Sequence, residues 1–118
     1  MARYPEVEEK GMARIATGFA HHKEVTAALR RVKKQFPKDV MSIDYRLGKD
    51  WDGDPTMFFD IVLSEEARRP PYTNLGRLGS RISIALDTEV RPDEFGLRSY
   101  PHFYSPVEYE TRKEEISA

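Results

Sequence analysis

Asp50, Asp52 and Asp54 stand at alternate positions, the spacing at which three carboxylates can converge on a hard cation such as calcium. Gly53 precedes Asp54, however, and no glutamate completes an EF-hand pattern. Asp, Gly and Pro55 are equally what a tight turn demands of its backbone, and a turn is the expectation here. Trp51 is expected to fold its ring back onto the neighbouring sheet, with exposed contact as the alternative. His21 and His22 fit a helix start and His102 falls in an aromatic strand, a spacing that supports no shared metal. Ser64, Ser80, Ser83, Ser99 and Ser105 lie in neither a G-x-S-x-G nor an S-x-x-K arrangement. The chain has no cysteine, which excludes a thiolate zinc site, a cysteine nucleophile and a disulfide scaffold together. No catalytic, metal or cofactor residue is therefore assigned, no cofactor is expected, and a non-enzymatic role is favoured.

Two other stretches can carry function by binding. The first is Leu75-Gly76-Arg77-Leu78-Gly79-Ser80-Arg81-Ile82. It resembles the hydrophobic-G-x-x-G-x-x-I core of KH nucleic-acid-binding domains, and the element order derived below is similar to the type II version of that fold. The resemblance implies an RNA-binding module. Gly76 and Gly79 would permit close approach of a nucleotide backbone and Arg77 would meet a phosphate, with Arg81 a further candidate nucleic-acid residue. Pro70-Pro71 stand where that family has a helix, and Lys+Arg 19 against Asp+Glu 20 leaves no basic excess, so this is the alternative reading.

The second stretch, residues 100–109, reads Tyr-Pro-His-Phe-Tyr-Ser-Pro-Val-Glu-Tyr, more aromatic than one face of an edge strand needs. Tyrosine and phenylalanine are enriched in interface cores, and an apolar edge needs covering. Tyr100, His102 and Tyr104, with Phe58 and Trp51, are the candidate protein-interface residues. The expected partner is a second copy, in a dimer, or a dedicated protein.

Elements must position these residues. Val25, Leu29, Val32 and Phe36 recur at helical spacing over residues 22–36, and Pro37 stops the helix. Its other face carries Lys23, Arg30, Arg31, Lys33 and Lys34, read as a solvated surface. Met41, Ile43, Tyr45 and Leu47 then alternate with Ser42, Asp44 and Arg46, as in a half-buried strand. In residues 56–63, Met57, Phe59, Ile61 and Leu63 share one face while Phe58, Asp60 and Val62 share the other, so this strand is expected to be central or covered. The two strands form an antiparallel hairpin over residues 40–63. Leu75, Leu78, Ile82, Ala85 and Leu86 keep helical spacing, and residues 95–104 read as a last strand, an edge or a bulge because of Pro101.

The expectation is thus a two-layer α+β sandwich in the order α-β-β-α-β, with a mainly antiparallel sheet and both helices on one face. Residues 1–11 read as a flexible lead-in, 12–110 as one domain and 111–118 as a charged tail; residues 12–20 stay open between strand, helix start and arm. The longest apolar runs are three residues, far short of a membrane span, and residues 1–10 lack the apolar core of a signal peptide, so a cytoplasmic, non-membrane setting is expected.

Overall fold

The computed structural model describes residues 14–16, 20–68 and 75–117. The expectations for residues 1–11 and for most of 12–20, like residues 69–74 of the proline linker, lie outside them. Helix α1 (His22–Gln35) buries Val25, Ala28, Leu29 and Val32 and ends where the Phe36 amide donates to the Lys33 carbonyl, one residue before Pro37. Glu24 in its first turn and Lys33 and Lys34 in its last complement the helix dipole. Strands β1 (Val40–Lys49) and β2 (Pro55–Leu63) form the expected antiparallel hairpin, with Tyr45 opposite Phe59 and Arg46 opposite Phe58. The Ser64 amide and hydroxyl bind the carbonyls of Asp39 and Lys38, closing the hairpin's open end.

A short 3-10 turn (Glu66–Arg68) and helix α2 (Leu75–Glu89) lead to a second 3-10 turn (Pro92–Phe95) and strand β3 (Arg98–Tyr104). The expected strand over 95–104 therefore starts three residues late. Pro92 opens the turn, and Arg91 and Gly96 both take left-handed backbone at φ 54° and 71°, which an extended strand cannot contain.

The sheet order is β1-β2-β3, with β1 antiparallel and β3 parallel to the central β2. It is a mixed sheet, because a helical crossover returns the chain to the same end before β3 begins. Pro101 sits on an edge strand, where a missing ladder donor is tolerated.

Helices α1 and α2 cover one face. Their apolar stripes, with Leu78, Ile82, Ala85 and Leu86 from α2, meet Met57, Phe59, Ile61 and Leu63 in a single core. Arg31 joins the two helices through Glu89 at 2.9 Å, and Arg81 lies over the Phe36 ring.

Residues expected to be a charged tail instead complete a third helix, α3 (Pro106–Ser117). Its start is a capping box. The Ser105 hydroxyl accepts the Glu108 amide at 3.1 Å, and Pro106 fills the first turn, where its absent N–H is no loss. The Glu108 carboxyl is held below the ordinary carboxylate range, first by its hydrogen bond from the Ser105 side chain and then by Arg68, which donates to it at 3.1 Å. Helix α3 lies on the face opposite α1 and α2: Tyr109 packs on Tyr104 and donates to Asp44, both on that side of the sheet.

Replacing Ser105 by alanine is expected to cost about 1 kcal/mol at neutral pH. Because Glu108 titrates lower folded than unfolded, its contribution is complete above the usual carboxylate range and fades as pH falls through the lowered value. Urea unfolding should show the penalty shrinking below about pH 4; a pH-independent penalty would contradict the capping box.

Candidate interaction face

Cross-strand pairing puts Arg46, Phe58 and Tyr100 in one row across the face opposite α1 and α2. Asp44, Asp60 and His102 form the next row, and Ser42, Val62 and Tyr104 the third. Four of the five candidate interface residues therefore share one face.

Their rings run as a continuous series. Phe58 and Tyr100 are 5.8 Å apart between centroids, Tyr100 and His102 6.5 Å, and His102 stacks on Tyr104 at 4.4 Å. Helix α3 closes the far end, where Tyr104 meets Tyr109 at 5.7 Å. Exposure falls along the same line: Tyr100 is 49% exposed and Tyr104 only 5%. The Tyr104 hydroxyl is buried with no hydrogen-bond partner among the described residues.

Asp44 lies directly opposite Asp60, a pairing of like charges that costs stability unless each is satisfied separately. Arg46 reaches diagonally and donates twice to Asp60, at 2.7 and 3.1 Å. Asp60 is 5% exposed, so this bidentate pair neutralises a carboxylate in the middle of the central strand. The same guanidinium lies 5.3 Å from the Phe58 ring centre. Asp44 takes the Tyr109 hydroxyl at 3.1 Å; that phenol is pushed up in pKa by burial and, after that, by the Asp44 carboxylate. Helix α3 brings Arg112 over Tyr104 and Lys113 over Tyr109.

Trp51 is not part of this row. It stands 89% exposed at the hairpin tip, which corrects the expectation that its ring folds back. The loop is tied up by its own backbone and by Asp50, whose carboxylate accepts the amides of Asp52 and Asp54 at 2.9 Å each. Gly53 supplies the left-handed residue at φ 84°. Arg98 then holds the carboxylates of Asp50 and Asp54 at 3.6 and 3.2 Å. One oxygen from each of Asp50, Asp52 and Asp54 lies within 4.8 Å of the others, close enough to share a cation, but Arg98 already supplies positive charge there.

Gly76, Arg77, Gly79 and Arg81 lie within α2 rather than in a loop between helices. A Cβ added at Gly79 would lie 3.7 Å from the Phe103 ring, and Phe103 faces the helical core, away from Tyr100 and His102. The four residues are thus separated from the ring row by the sheet itself. An apolar groove of about 800 Å³ borders this end of α2; of its lining residues, Leu63, Leu75 and Phe103 among them, only Arg68 is charged. His21 pairs with Glu24 at 3.1 Å and His22 with the Tyr45 hydroxyl, so the three histidines do not converge. Burial pushes that Tyr45 phenol up in pKa.

Nothing in the type or spacing of Arg46, Asp60 and Arg98 marks them as partners in a site. Alternation alone sets Arg46 and Asp60 on the outer faces of their strands, but their meeting depends on a register that only the closed turn fixes. Comparison with protein-family models, with curated proteins and with solved structures finds no match to this chain.

Substituting Arg46 by methionine leaves Asp60 buried without its cation. A loss of about 1–3 kcal/mol is expected, the smaller end reflecting a half-exposed arginine. Adding Asp60→Ser should recover part of it in a thermal-denaturation double-mutant cycle; strictly additive losses would contradict the pair.

Proposed function

We propose that this domain is a non-enzymatic protein-interaction module whose docking surface is the row Phe58, Tyr100 and His102, walled by Tyr104 and α3. The observation that supports it is that these rings are contiguous, half-buried or exposed, and set side by side on the central strand β2 and its neighbour β3. Tyrosine and arginine in such settings are the residues that dominate protein interfaces, because they add large contact area at little cost in side-chain freedom.

Sheet-borne rings also stack nucleic-acid bases, so the charges decide between partners. Arg46 faces Asp60 and Phe58, Arg98 faces Asp50 and Asp54, and Arg112 and Lys113 lie over tyrosine rings. A phosphate backbone would have to displace these partners and approach Asp44 and Asp54 as well. A protein surface, with its own mixture of carboxylates, amides and apolar groups, meets no such barrier.

A photo-crosslinking residue placed at Tyr100 in the native host is expected to give a discrete protein adduct, and one placed at the exposed Asp87 of α2, on the other side of the sheet, none. Nuclease-sensitive adducts, or equal labelling from both positions, would overturn the proposal. With the partner in hand, Tyr100→Ala should weaken binding about tenfold or more while leaving the melting temperature nearly unchanged, since the ring is half exposed.

A further inference from the structure

The outer edge of β1 is a second, separate opportunity for assembly. The strand is ten residues long, contains no proline, and has β2 on one side only among the described residues. Natural edges of that length are usually blunted by proline, by a bulge or by central lysines. Here the sole irregularity lies at the start, between Val40 and Ser42, and the sole lysine at the end, Lys49. The opposite edge, β3, is interrupted by Pro101.

The residues of β1 complement themselves. Pairing two copies antiparallel about a two-fold axis at Tyr45 sets Asp44 opposite Arg46 of the second copy, and Arg46 opposite its Asp44. On the other face the same register sets Ile43 opposite Leu47, again twice. Since partners in this register share parity, each copy presents the same faces on the same side, and the two sheets continue as one of six strands. Neighbouring same-face registers do worse. Centring on Asp44 opposes two carboxylates, centring on Arg46 opposes two guanidiniums, and centring on Ile43 pairs no opposite charges. Arg46 uses two of its five donors on Asp60, leaving others for the second copy's Asp44.

The side chains around the axis also lack cover. Ile43 and Tyr45 are only half-buried, and with His22, Leu29, Arg30 and Lys33 they line an open groove of about 450 Å³ between α1 and β1. We propose that this chain forms a symmetric homodimer by antiparallel pairing of β1 with β1 of a second copy, in the register centred on Tyr45. The pairing closes that groove against its counterpart. It leaves the ring row free, so the two surfaces can be occupied together and are tested separately.

The cysteine-free sequence makes the register directly measurable. Light scattering of the full chain at tens of micromolar should give twice the monomer mass, and Asp44→Arg, which sets two arginines together, should weaken the dimer about tenfold or more. Circular dichroism of that variant checks that it remains folded. Under mild oxidation, an equimolar mixture of Ile43→Cys and Leu47→Cys chains should form mixed disulfides readily, while Ile43→Cys alone should not. A monomeric mass, a dimer indifferent to Asp44→Arg, or Ile43→Cys chains crosslinking to themselves as fast as to Leu47→Cys would each overturn the proposal.

Discussion

Strand β2 is buried on both faces, and the rest of the fold is the means of covering it. Met57, Phe59 and Ile61 are fully buried on one side, while Thr56, Asp60 and Val62 are nearly so on the other. A strand of this kind is stable only at the centre of a sheet with a layer on each side. Helices α1 and α2 meet the first demand with a continuous apolar core. The second face is met piecemeal, by α3 over Val62 and Tyr104 at one end, and by the Arg46–Asp60 pair in the middle.

That uneven cover determines where the proposed docking surface lies. Where α3 reaches, the aromatic series is closed and Tyr104 is buried. Beyond its reach, Tyr100 and His102 stay exposed, with Phe58 only half-buried beside them, above a floor neutralised by Arg46. Asp60 cannot be left unpaired so deep in the sheet, and Arg46 cannot leave it without cost, so the floor is rigid. A surface with fixed rings and satisfied charges loses little freedom on docking, which suits the proposed recognition role. The acidic loop belongs to the same scheme: Arg98 anchors it to the sheet, and Trp51 at its tip stands exposed.

Much of this was legible in the residues. The period-two alternation of β1 and the two apolar faces of β2 identified the hairpin and its central strand, because burial leaves a direct imprint on residue type. Tyr100, His102 and Tyr104 were legible as one group because they alternate along a single strand. Three features were not. The parallel placement of β3 depends on the path of the crossover, which no local pattern records. Helix α3 was hidden by its charged composition, although Ser105-Pro106-Val107-Glu108 carries both the capping box and a first-turn proline. The exposure of Trp51 was not legible, because an aromatic at a turn can pack back on the sheet or stand out from it.

The central claim is that the uncovered half of the second sheet face is the docking surface. Hydrogen–deuterium exchange of the full chain, free and bound to its crosslinked partner, tests it most directly. Slowed exchange confined to β3 and the middle of β2, with α2 unaffected, is the predicted result. Protection centred on Gly76 to Arg81, with β3 unchanged, would contradict it.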